Sequence, residues 1–138
     1  MEYGITVRTA VPFPEAVRRV REALVAQGFG VLTEIDVRAT LREKLDADME
    51  DYLILGARNP PLAHRALAAD RKVGLLLPCN VVVRSGRGET IVEALDPQFT
   101  AEVAGQAALR PVAVEAAARL PAALATIGEA RPPCAPVT

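Results

Sequence analysis

The chain opens on an alternation. Tyr3, Ile5 and Val7 are the bulky positions and Gly4, Thr6 and Arg8 lie between them, so residues 3–9 read as a strand with one face to a core. Pro12 and Pro14 stop it, and Pro14 suits the first turn of a helix, where a missing N–H costs nothing. The period then changes to that of a helix. Over 15–27, Val17, Val20 and Leu24 share one side, with Ala16 and Ala23 beside them, while Arg18, Arg19, Arg21 and Glu22 point away. Glu15 and Arg19 are spaced for an i,i+4 pair, and Gly28 ends the helix. Phe29, Val31, Thr33, Ile35 and Val37 restore the alternation and predict a second strand over 29–37. Its other face carries Glu34 and Asp36, whose backbones a strand holds about 7 Å apart.

Residues 39–48 are polar, with Leu41 and Leu45 at helical spacing, and predict a short helix or helical turn. Residues 52–57 are apolar on both faces, which predicts a strand inside the sheet. Gly56 to Pro61 is a strand-to-helix turn, with Asn59 as N-cap and Pro60 as the first helical residue. That helix runs to about residue 69, with Leu62, Ala66 and Leu67 inward. Residues 73–77 read as extended, and Pro78 breaks any ladder there, which predicts a bulge or an edge position. Residues 81–84 and 90–95 form a hairpin across Ser85-Gly86-Arg87-Gly88. Asp96-Pro97 opens an irregular segment with one helical turn. A last helix starts at Pro111, with Val112, Ala116, Leu120, Leu124 and Ile127 as its buried stripe and a kink expected at Pro121.

Strands come singly and then together, with helices between them. The prediction is an α+β fold: a two-layer sandwich with one largely antiparallel sheet and helices on one face. A chain of 138 residues is one domain by length. Residues 1–130 are assigned to it, and residues 131–138, RPPCAPVT, to a flexible Pro-rich tail.

Composition narrows the function more than it defines it. Aromatics are 4% and Trp is absent, so Ala, Val and Leu must build the core and few rings exist to stack on bases. A net charge of −1 offers no field for a charged polymer, and nucleic-acid binding is not expected. The apolar run 73–83 is too short to span a bilayer and is interrupted by Pro78 and Asn80, and the start lacks a signal-peptide pattern. Two cysteines, Cys79 and Cys134, make no disulfide framework, and a reducing, cytoplasmic setting is the simpler reading.

Few residues could carry chemistry. Cys79 follows a strand-breaking proline, which can place its thiol in a cleft; a thiolate would need a nearby cation, with Arg58 and His64 as candidates, and the alternative is a small buried space-filler. One histidine and one mid-chain cysteine cannot close a zinc site, and neither C-x-x-C nor H-x-x-x-H occurs, so no metal is assigned. Only Glu34, Asp36 or a second subunit could complete such a site. Glu34 and Asp36 could act as a general base and its partner if covered by helices, or form a solvated edge neutralised by Arg38 and Lys44. Asn59 is mainly architecture, Arg58 could hold a carboxylate or phosphate, and Asn80 could bond its own loop or face a ligand. No phosphate-loop or dinucleotide motif occurs, and no cofactor is identified.

At GARNPPLAHRAL and LLLPCNVVV the chain resembles the family called domain of unknown function 302, and the likeness runs from the helix before GFGVLTEIDV to the last helix. The resemblance implies a two-layer fold of β-α-β type with a curved antiparallel sheet and a long C-terminal helix. It implies no established activity. In that family the residue before Asn-Pro is often a second Cys; here it is Arg58, so a two-cysteine metal or disulfide site lacks its second thiol.

The reading that results is a small binding or accessory domain, expected to be a homodimer. Its candidate small-molecule site is near Arg58, Asn59, Cys79 and Asn80, with Glu34 and Asp36 on the rim. The alternatives are a thiol- or metal-dependent enzyme centred on Cys79 and a purely structural assembly protein.

Overall fold

The computed structural model describes residues 2–128. Five strands form one antiparallel sheet in the order β1-β5-β4-β3-β2. The strands are β1 (Gly4–Thr9), β2 (Gly30–Asp36), β3 (Tyr52–Arg58), β4 (Cys79–Gly86) and β5 (Glu89–Leu95). The helices are α1 (Phe13–Ala26), α2 (Val37–Leu45), α3 (Pro60–Ala69), α4 (Pro97–Ala104) and the long α5 (Arg110–Gly128). The fold is therefore the predicted α+β class, with β3 inside the sheet. No helix among the described residues is long and apolar enough to cross a membrane.

The first two strands are the two edges, so α1 carries the chain across the whole sheet. It does so on a face built for burial: Ala16, Val20 and Leu24 are fully enclosed. α5 lies beside α1 and buries Leu120, Leu124 and Ile127. Both meet the inward residues of the central strands, Leu55, Val81, Val83 and Val92, in one core cluster. The buried stripe of α5 includes Ala113 and Ala123, while Val112 and Ala116 are only half-buried. Pro121 lies within this helix. β4 and β5 close through the two-residue turn Arg87-Gly88, both with positive φ.

Several boundaries differ from the sequence reading. β2 ends at Asp36, because its carboxylate turns back to accept the Ala39 N–H and starts α2. Residues 71–76 are a 3₁₀ helix, not extended chain, started by Asp70, whose side chain accepts the Lys72 N–H. Pro78 is not at an edge. It immediately precedes β4, the central strand, where its lack of an N–H breaks no ladder, and a cis peptide joins it to Leu77. The segment after Asp96 is a full helix, because Asp96 caps it through the Gln98 N–H with Pro97 at its first turn. The tail assignment and Cys134 lie outside the described residues.

Candidate functional site

β3 ends where β4 begins, and the chain between them leaves the sheet as α3 and the 3₁₀ helix. The register places Ala57 opposite Cys79 and Gly56 opposite Asn80. This brings Arg58, Asn59, Cys79 and Asn80 to one end of the sheet. At that end lies a cavity of about 90 Å³. Ala57 and Cys79 form its floor, Leu62, Ala63 and Ala66 of α3 one wall, and Val73 and Leu77 another. Ala101 of α4 and Ala113 and Ala116 of α5 complete it. Its lining is carbon almost throughout.

Asn59 anchors this end. Its side-chain oxygen accepts the Leu62 N–H at 3.3 Å and caps α3. Its amide nitrogen donates to the Gln27 carbonyl at 3.5 Å, which also accepts from Arg119 Nη1 at 3.3 Å. One buried amide thus ties α3 to the turn between α1 and β2, and α5 joins through Arg119. The turn requires Gly28: its φ is +87°, and a Cβ there would sit 2.8 Å from the Asn59 amide nitrogen. Gly56 is required for a different reason. A Cβ on it would run into the Thr33 hydroxyl and lie 2.9 Å from Pro78 Cγ, so both side chains cross where only hydrogen fits. This accounts physically for the glycine three residues before Asn-Pro.

Cys79 is half-buried against the main core, and its thiol donates weakly to the Leu95 carbonyl at 3.8 Å. Burial, and secondarily the Asp96 carboxylate, push its pKa up to about 11. That is the opposite of what a reactive thiolate needs. The thiol is a neutral, soft part of the cavity wall at ordinary pH. His64 is exposed on α3. Among the described residues no group of three or more His, Cys, Asp or Glu side chains is placed to hold a metal ion.

The remaining candidates separate from this end. Asn80 is exposed, and strand alternation puts it on the sheet face opposite Cys79. Arg58 lines the cavity but is also exposed; it follows inward Ala57, so alternation aims its side chain at that same opposite face. Glu34 and Asp36 are not on the rim. Arg58 pairs with Gly30, so Glu34 and Asp36 lie four and six residues further along β2, roughly 13 and 20 Å away. Glu34 is ion-paired with Arg21 of α1 and Asp36 is the cap of α2, so neither is available as a base near the cavity. Arg38 is engaged elsewhere, with Asp51 at 2.7 Å, and does not neutralise them. The Arg cluster of α1 is charge-paired: Arg18 and Arg19 both hold Glu15, and Arg18 also holds Glu22. Those arginines lower the Glu15 pKa to about 2.

The residues that shape the cavity are mostly ones that a search for chemical groups passes over. Ala63 and Ala66, like Ala113 and Ala116, are small residues spaced i,i+3 on inward helix faces. That spacing is their signal: two helices lined with alanine leave volume where leucine would fill it.

Comparison with curated proteins gives no match. A crystal structure of an uncharacterized conserved DUF302 protein from Bacillus stearothermophilus is similar, with a TM-score of 0.85 and 32% identity, covering 91% of this chain and 98% of that one. The family described as Domain of unknown function DUF302 matches residues 5–127, and the chain belongs to that family.

Proposed function

We propose that this protein binds a small apolar molecule, or the apolar end of a larger one, in the cavity beside the Asn-Pro turn. The observation that carries the reading is an unfilled space of about 90 Å³ walled by aliphatic side chains. An aliphatic cavity of about 150 Å³ stays dry and takes up benzene, so this one has room for a short alkyl end. The polar ends of Asn59 are both engaged, and the Cys79 thiol is neutral. Recognition here is therefore by shape and apolarity. A cytoplasmic small-ligand binding or accessory role fits such a site.

The test uses the full chain with methyl-labelled Ala, Leu and Val, titrated with xenon and then with n-pentanol. The expected result is a saturable shift of the Ala63, Ala66, Ala113 and Leu77 methyls, abolished by Ala66→Leu. A titration without saturable shifts overturns the reading. So do shifts that persist unchanged in both Ala66→Leu and Ala113→Leu.

A further inference from the structure

The described residues hold two hydrophobic clusters that share no segment of chain. The main core draws on residues 5–57, 79–94 and 120–127, around Leu24, Leu55, Leu120 and Leu124. The second cluster draws on 66–77 and 101–112, around Ala66, Val73 and Leu109. The cavity lies on the seam between them. Ala57 and Cys79 of its floor pack with the main core, whereas Ala66, Val73, Leu77 and Ala101 of its walls pack with the second cluster. The chain passes from one part to the other at four places, and a proline stands at or beside each: Pro60 after Asn59, Pro78 after Leu77, Pro97 after Asp96, and Pro121 inside α5. A proline offers no N–H, so regular backbone hydrogen bonding is interrupted at each crossing. In α5 this leaves the Ala117 carbonyl without its helical donor, between Val112 of the second cluster and Leu124 of the main core.

We infer that residues 59–77 and 96–117 form a cap that lifts as a unit from the β3–β4 floor, turning at those four crossings and opening the cavity along its seam. The seam is hollow, so part of the contact that opening would break is already missing. Each cluster stays packed on its own side of it. The polar ties across the seam are few and stretched. Asn59 and Arg119 both donate to one atom, the Gln27 carbonyl oxygen, at 3.5 and 3.3 Å, longer than a usual N–H···O bond. Within the cap the ties are closer: Glu115 accepts from Arg65 at 2.8 Å, which holds α3 to the start of α5. Both clusters are thus internally bonded and loosely joined, the arrangement from which rigid-body opening arises. Admission of a ligand through the seam rests on the binding reading above; the movement itself does not.

Cys79 in the floor reports the movement without any ligand. On a Cys134→Ser background of the full chain, a bulky maleimide at neutral pH should label it at least about a hundredfold more slowly than in the urea-unfolded chain, through the open state. Arg119→Met removes one tie across the seam and should speed labelling by about fivefold. Pro121→Ala restores the missing helical donor and should slow it. Ile127→Val weakens the main core, which stays closed when the cap lifts. It should lower the urea midpoint yet leave the labelling rate within about twofold. Labelling of the native chain as fast as that of the unfolded one overturns the inference. So does labelling that quickens with Ile127→Val in step with lost stability, because the thiol is then reached only by global unfolding. A rate unchanged in both Arg119→Met and Pro121→Ala overturns it equally. Saturable xenon shifts beside any of these outcomes would remove the cap and leave the binding reading standing; cap-dependent labelling without xenon shifts would do the reverse.

Discussion

The two ends of the β2–β3 pair share one strand geometry and carry opposite surfaces. At the Asp36–Leu53 end the side chains are charged and locally satisfied: Glu34 by Arg21, Asp51 by Arg38, Asp36 by the α2 backbone. At the Gly30–Arg58 end the chain spends one buried amide on architecture and leaves aliphatic space beside it. Titratable groups are plentiful at the first end, whereas the one charged residue that lines the hollow at the second, Arg58, is exposed. The difference separates two questions that are often merged. Where a protein carries carboxylates and where it can enclose a ligand are set by different physical requirements: solvation for the first, incomplete packing for the second.

The strongest way to break the contrast is to disturb the anchor of the hollow end. Gly28→Ala forces a side chain into a left-handed backbone and onto the Asn59 amide, so it should cost about 2–3 kcal/mol in urea unfolding. A cost below about 0.5 kcal/mol would mean that the anchor yields and the cavity is not held open by it.

The next effect comes from Cys79 and appears only in alkali. Its folded pKa of about 11 lies above the ordinary 9.0, so the native state keeps a proton that the unfolded chain releases. The associated stability is whole below about pH 9 and is lost as pH rises from about 9 to about 11, by an amount on the order of 2 kcal/mol. Cys79→Ala should remove that part of the slope when denaturation is compared across the window. On a Cys134→Ser background, maleimide labelling of the folded chain should be slow at neutral pH. Rapid labelling there would restore the thiol-enzyme reading.

Asn59→Ala removes the α3 cap and one tie to the α1–β2 turn, and should cost about 1 kcal/mol while weakening xenon uptake. The smallest effect belongs to the charged end. Glu34→Gln loses an exposed ion pair, should change stability by less than about 0.5 kcal/mol, and should leave xenon binding untouched. A shift in the xenon titration on Glu34→Gln would erase the distinction between the two ends.

Much of this arrangement is legible in the chain, and the misses have identifiable causes. The Asn59-Pro60 signature placed α3 correctly because a cap and a proline act within four residues, independently of the rest of the fold. The same signature stands at Asp96-Pro97, and the eight-residue α4 could have been read from it. Residues 71–76 misled because Val73, Leu75 and Leu77 alternate like a strand; Leu75 is in fact exposed, and the capping Asp70 was the better guide. Alternation gave Glu34 and Asp36 their shared side, opposite Leu55 and Leu53, but not their distance from the Asn-Pro turn. That distance depends on pairing register, which is a tertiary property. The cavity was half visible for a similar reason. Cys79 and Asn59 stand out as groups, whereas Ala63, Ala66, Ala113 and Ala116 matter only once α3 and α5 face each other.

The placement of β5 has a consequence for biosynthesis. It inserts between β1 and β4, so Ile5 pairs with Ala94 and the Thr6 hydroxyl meets Glu93 across 87 positions of chain. On the ribosome, β1 emerges before the other strands of the sheet and has no partner until β5 begins, about 80 residues later. A nascent chain must keep that opening segment soluble for several seconds of translation. Thr6 and Arg8, interposed among its apolar residues, are suited to that wait, as charged and polar gatekeepers are in other unpaired strands.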